Sequence, residues 1–200
     1  MQWRVIGPEK RRGVMNLALE EACMEAVGAG EASPTIFFYE WEKPAVIIGH
    51  FQKLHDEVDV DECGKHGVDI IRRITGGGAM YQDGEAMTFS MITPEALLPH
   101  DVNQAYRRVC GHIVDALRLL GIESEFKPIN DIIVTGKKVS GSALTRRNGA
   151  TMVHGTLLYT LDVDKMFAYL KVGRTKISDK GIQSVKERVT AIKHHKDVAK

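Results

Sequence analysis

The sequence predicts an α+β or mixed-sheet domain, and three observations carry that prediction. Two segments, 14–27 and 102–120, repeat apolar residues at helical spacing. Runs rich in β-branched and aromatic residues recur between turn signals, in an order with the helices that suits one sheet covered by helices. A composition of 44% hydrophobic and 26% charged residues over 200 positions supplies a sizeable core for a single domain.

In the first helix Met15, Ala18, Leu19, Ala22 and Ala26 form the expected apolar face, with Glu20, Glu21 and Glu25 largely outside it. Gly28 and Gly30 end it. Segments 36–41 and 45–49 read as strands separated by a turn at Glu42, Lys43 and Pro44, and a hairpin is expected between them. Residues 59–66 read as a short helix, 68–73 as a third strand and 86–92 as the return strand. In the second long helix Val102, Ala105, Val109, Ile113, Ala116, Leu117 and Leu120 recur at helical spacing before Gly121, so one face should lie on the sheet. Residues 130–143 read as two strand-like halves around a Gly136-Lys137 turn. Asn148-Gly149 then marks a hairpin that brings His154 and Gly155 into the same sheet. A short helix at 163–170 precedes a polar stretch that carries His194 and His195, expected to be solvated.

Composition narrows the function classes. The formal net charge is +1, from 27 basic and 26 acidic groups, so no global field favours nucleic acid or a membrane surface, and any basic site is local. Cys23, Cys63 and Cys110 are scattered and show no C-x-x-C spacing, which predicts neither a disulfide framework nor a zinc site and suits a reducing cytoplasm. The start has no signal-peptide core, and no apolar run approaches membrane-spanning length.

The richest stretch for chemistry is Arg72-Arg73-Ile74-Thr75-Gly76-Gly77-Gly78-Ala79-Met80-Tyr81. Glycines let backbone N–H groups approach a ligand without intervening side chains, and the arginines add charge that cannot be titrated away. A phosphate-bearing ligand is one reading; a loose hairpin turn is the other. Neither the mononucleotide G-x-x-x-x-G-K-[ST] pattern nor the dinucleotide G-x-G-x-x-G is present. A second polar block follows at Asn130-Asp131, with Lys138 at the start of the strand after the turn.

Taken together, the motifs resemble the catalytic domain of the lipoate–protein ligases. The resemblance rests on Asn16 to Glu21, Arg72 to Ala79, Asn130-Asp131, Lys138 to Ala143, His154 to Leu158 and Lys180 to Val189, in that order. It implies a biotin/lipoate-ligase fold related to the class II aminoacyl-tRNA synthetase core, with a largely antiparallel mixed sheet flanked by helices. Residues 1–200 would be the catalytic domain, expected to be C-terminally incomplete and to lack the accessory domain, which in bipartite members is a separate subunit. The implied reaction joins lipoate to ATP as lipoyl-AMP with loss of pyrophosphate, then transfers the lipoyl group to a lysine of an acceptor. Acceptors implied are the lipoyl domains of 2-oxoacid dehydrogenase E2 subunits and the glycine-cleavage H protein.

The resemblance assigns Lys138 the catalytic role, bridging the α-phosphate and the lipoyl carbonyl. Arg73 and the backbone of Gly76, Gly77, Gly78, Ala79, Met80 and Tyr81 would hold the phosphates and adenylate, with Arg72 either a ligand contact or a structural ion-pair partner. Asn130 would be a polar neighbour, and Asp131 the ligand of Mg²⁺, which needs few carboxylates when phosphate oxygens complete its shell. Val46, Ile47, Gly49 and Phe51 are expected near an apolar slot, and His154 is expected to be a hydrogen-bonded structural histidine rather than a base. Gln82-Asp83 stands where the family commonly has His-Asp. The rival within the fold is an octanoyltransferase, which takes its acyl group from acyl carrier protein and needs a cysteine nucleophile. Segment 121–131, where that cysteine would lie, contains none. A non-catalytic lipoyl-binding fragment is a third reading.

Overall fold

Two sheets of unequal size share the chain. The computed structural model describes residues 1–160, 162–171 and 186–198. The larger sheet has seven strands: β1 (Arg4–Arg11), β2 (Thr35–Trp41), β6 (Ala86–Pro94), β7 (Glu125–Lys127), β8 (Asp131–Val134), β9 (Lys137–Arg147) and β10 (Ala150–Leu158). Their spatial order is β1-β2-β6-β10-β9-β8-β7. Only the β1/β2 pair is parallel among these contacts, and α1 (Gly13–Gly28) makes the crossover that a parallel pair requires. The smaller sheet is β3 (Ala45–Ile48), β4 (Asp69–Arg72) and β5 (Met80–Gln82) in the order β4-β3-β5.

The expected hairpin between segments 36–41 and 45–49 does not form. β2 pairs with β1 and β6, and β3 pairs with β4 and β5, so the turn between them passes the chain from one sheet to the other. The return strand β6 likewise joins the larger sheet rather than β4. The β9/β10 hairpin forms as expected: Asn148 at φ 52° and Gly149 at φ 78° are the two left-handed residues of a two-residue turn. The β8/β9 turn sits one residue earlier than read, on Thr135 at φ 48° and Gly136 at φ 79°. β9 is a single eleven-residue strand that serves both hairpins.

Helices cover both faces. On one, α4 (Val102–Leu119) packs Val109, Cys110, Val114 and Leu117 against Phe89, Ile132, Val139 and Val153. Its start is set by Asp101, whose carboxylate accepts from the Gln104 N–H at 2.8 Å. On the other face α1 buries Asn16, Leu17, Glu20, Cys23, Met24 and Val27. That is not the expected face, since Met15 is half exposed and Ala18 and Ala22 are exposed. Polar residues win these positions because they are paired: Asn16 Nδ2 donates to the Glu40 carbonyl at 3.0 Å, and Glu20 is surrounded by donors. The smaller sheet lies on the same side as α1, with Ile47 joining Leu17, Phe37, Tyr39 and Trp41 in one core. Its outer face packs Val46, Ile48, Val58, Cys63 and Val68 with α3 (Val60–His66), after the short α2 (Leu54–Glu57). Leu170, which follows α5 (Val163–Tyr169), completes this cluster.

Candidate active site

Between the two sheets lies a cavity of about 380 Å³, the size of a small-molecule site. Its floor is the larger sheet, where alternation puts Tyr39 and Trp41 of β2, Ala86 and Thr88 of β6, His154 and Thr156 of β10, and Gly141 and Ala143 of β9 on one face. Leu17 of α1, Ile47 of β3, Met80 and Gln82 of β5, and Val163 and Met166 of α5 close the other sides. The lining is thus apolar towards Leu17, Tyr39, Trp41 and Ile47. Polar atoms within it are mostly spoken for: Trp41 Nε1 donates to Thr88 Oγ1 at 3.0 Å, and Gln82 Nε2 to Thr156 Oγ1 at 2.6 Å.

At the β9 side of the cavity stands Lys138. Its Nζ lies 2.6 Å from Asp131 Oδ1, an ion pair across the β8/β9 hairpin. Asn130, which also lines the cavity, donates from Nδ2 to the Ser142 carbonyl and accepts from the Ser142 N–H at its own carbonyl. This exchange fixes the start of β8 on β9. Val189 bridges Lys138 in parallel, and the Thr190 N–H donates to the Lys138 carbonyl at 2.8 Å, so the segment after residue 186 crosses the hairpin at the lysine. Of the motif at 180–189, residues 180–185 lie outside the described residues.

The glycine stretch forms another wall through Gly77, Gly78, Ala79, Met80 and Tyr81. Gly76 precedes the lining. Gly77 has φ 97°, and a methyl group on Gly49 would sit 2.1 Å from the Gly77 carbonyl oxygen, so two backbones touch here without side chains between them. The two arginines hold this loop rather than facing outward. Arg73 is buried; its Nη2 donates to the carbonyls of Gly76 at 2.7 Å and Gly78 at 2.9 Å, and its Nη1 to that of Ile47 at 3.3 Å. Burial draws its pKa below the ordinary guanidinium value, and the nearby Glu20 carboxylate opposes that fall. Arg72 lies outside the cavity lining, with Nη1 shared among the carbonyls of Gly49, His50 and Gln52.

The structure brings Lys138, Arg73, Asn130 and the backbone of 77–81 to one cavity, with Asp131 reaching it through Lys138. Of the residues expected near the apolar slot, Ile47 lines it. Val46 points into the opposite core, and Phe51 is 86% exposed. Residues given no place in the slot from the sequence complete it: Tyr39, Trp41, Thr88 and Met166, with Leu17 and Thr156 from two of the motifs. His154 is hydrogen-bonded and buried, as expected, but it also lines the cavity. None of the three cysteines does; each is buried, and burial pushes each thiol pKa up.

The lipoyl protein ligase A/B catalytic domain model matches residues 12–199. The chain belongs to that family. The lipoyl protein ligase A/B fold, a mixed sheet flanked by helices, is therefore the fold of this chain. Octanoyltransferase LipM of Clostridioides difficile (strain 630) is 33% identical to it over 214 residues, covering 96% of this chain and 79% of the relative. A structure from an archaeal lipoylation system, a bipartite lipoate protein ligase and its E2 lipoyl domain from Thermoplasma acidophilum, superposes with a TM-score of 0.86 at 32% identity. It covers all of this chain and 78% of that one. A lipoate–protein ligase A bound with ATP gives a TM-score of 0.80 at 30% identity, covering all of this chain and 79% of the other. The proteins similar to this chain thus include both an ATP-bound ligase and an octanoyltransferase.

Proposed function

We propose that the protein is a lipoate–protein ligase. It activates lipoate with ATP to lipoyl-AMP and passes the lipoyl group to a lysine on the lipoyl domain of a 2-oxoacid dehydrogenase E2 subunit or on the glycine-cleavage H protein. The observation that carries this reading is a cavity with an apolar end at Leu17, Tyr39 and Trp41, a lysine at the other side, and no cysteine in its lining among the described residues. An enzyme that carries its acyl group as a thioester needs a reachable thiolate, and burial disfavours that state at all three thiols here.

In the first step a carboxylate oxygen of lipoate bonds to the α-phosphorus and pyrophosphate leaves. Two anions meet, so charge has to be offset before they react. Lys138 supplies a cation held by Asp131, and the 77–81 backbone offers N–H groups to phosphate oxygens. In the second step the acceptor amine bonds to the acyl carbonyl carbon, AMP leaves, and Lys138 polarises the carbonyl. Asp131 is the residue that would hold Mg²⁺; among the described residues there is no group of three His, Cys, Asp or Glu able to hold a metal unaided. One carboxylate suffices for a metal that arrives on ATP, and its contribution there is to neutralise phosphate charge. The reading includes a reducing cytoplasm, in keeping with three unpaired cysteines. Among the described residues, no helix is long and apolar enough to cross a membrane.

The 33% identity to an octanoyltransferase supports a second reading, in which octanoyl-acyl carrier protein is the donor and no ATP is used. Intact mass of a purified lipoyl domain distinguishes the two. The domain is incubated with the protein and either lipoate, ATP and Mg²⁺, preformed lipoyl-AMP, or octanoyl-acyl carrier protein without ATP. Lipoylation in the first mixture is expected, and lipoylation only in the second means that adenylation needs a further C-terminal part or a partner subunit. Modification only in the third overturns the ligase reading.

A further inference from the structure

The polar core beneath the cavity forms one unbroken chain of hydrogen bonds. Glu20, 2% exposed on α1, accepts from Tyr39 Oη–H at 2.9 Å, from the Ser90 hydroxyl, and from His154 Nδ1 at 3.0 Å to Oε2. A carboxylate accepts only, so the neutral imidazole is assigned the tautomer with its proton on Nδ1, facing Glu20. That leaves Nε2 to accept from the Thr75 hydroxyl, 2.8 Å away. Thr75 Oγ1 accepts in turn from Arg73 Nε at 3.0 Å, and the Arg73 fork holds the carbonyls of Gly76 and Gly78. Every link has its donor and acceptor supplied, and Thr75 is fully buried. Tyr39 and His154 at one end line the cavity; the glycine loop stands at the other.

We propose that this chain couples the acyl slot to the glycine loop, with His154 a positioning residue and Thr75 the link. The proposal rests on the ligase reading, in which the slot takes an acyl chain and the loop a nucleotide. An acyl chain lying on His154, 7% exposed where Tyr39, Glu20 and Thr75 are already dry, covers the last solvent-facing part of the chain, and hydrogen bonds strengthen in the drier surroundings. The ring is then held more firmly on Thr75, Thr75 on Arg73, and Arg73 on the two loop carbonyls, so the N–H groups that receive phosphate are set before ATP arrives. Linkage makes the effect mutual: nucleotide on the loop raises affinity for the acid by the same factor.

The test is calorimetric titration of lipoate into the full chain, with and without a saturating α,β-methylene ATP analogue that cannot donate its adenylyl group. Lipoate is expected to bind more tightly with the analogue present, by about 5- to 150-fold. Thr75→Val is expected to abolish that enhancement, read as the ratio of lipoate affinities with and without the analogue, so that any change in affinity for lipoate alone divides out. Thr75→Ser, which keeps the hydroxyl, is expected to restore it, a rescue that a merely structural side chain would not require. Undiminished enhancement in a folded Thr75→Val protein overturns the coupling, as does wild-type protein that binds each ligand but shows no enhancement. Wild-type protein that binds neither ligand overturns the ligase reading, and the coupling with it.

Discussion

Gly141 shows how a single hydrogen can govern a site. A methyl group there would lie 2.6 Å from Lys138 Nζ and 2.7 Å from its Cε. The backbone of Gly141 lies outside the left-handed region and the atoms it would meet are the end of a flexible side chain, so the strand should tolerate alanine while the lysine moves away from Asp131. Gly141→Ala is therefore expected to lower acyl transfer by roughly 10²-fold, the effect of a displacement of about 1 Å at a reacting group. Its melting temperature should stay close to wild type; thermal unfolding beside the mass assay checks both. At this scale the sequence was informative where chemistry and motif coincided, as at Lys138, Asn130 and the glycine run. What it did not disclose is that Arg72 and Arg73 also brace the loop, with donors directed at backbone carbonyls. Glu20 was legible only as a member of the N-terminal motif. A carboxylate on a helix reads as solvent-facing unless its donors, 19 to 134 positions away in sequence, are known.

Elements with strong local signals matched their expected spans, and those whose identity depends on partners did not. The second long helix was legible because its apolar spacing is regular and Gly121, at φ 73°, ends it; the Asp101 cap emerged only from the structure. Asp101→Ala should remove the bond to the Gln104 N–H and cost about 1 kcal/mol. That corresponds to roughly 2–4 °C in melting temperature for a chain of this size. The helix packs on the sheet face opposite the cavity, so lipoylation rates should be unchanged, and a matched loss of activity would argue against that separation. β1 gave no signal, since its eight residues hold five charged or proline positions and seldom bury a side chain. It is an edge strand, where such residues discourage pairing with other chains. β5 is three residues long, too short for any alternation to register.

For the whole molecule, the class was readable and the sheet order was not. Neighbouring strands in sequence pair about two-thirds of the time, and β2 and β3 fall among the remainder. That departure builds the cavity, because the chain leaves one sheet after Trp41 and returns above it with Ile47. Half of the slot was invisible from sequence for the same reason: Tyr39, Thr88 and Thr156 come from three strands that meet only in the assembled sheet.

Burial of all three thiols turns an alkylating reagent into a classifier. Native protein treated with N-ethylmaleimide should keep its acyl-transfer rate, and inactivation tied to one adduct and blocked by the acyl donor would restore the cysteine-nucleophile reading. The same silence leaves a clean background for a reporter. Phe51, 86% exposed and within 3.9 Å of where a methyl group on Gly76 would sit, offers a position for one introduced cysteine. A dye there would report on the glycine loop as ligands enter, with no other thiol competing for the label.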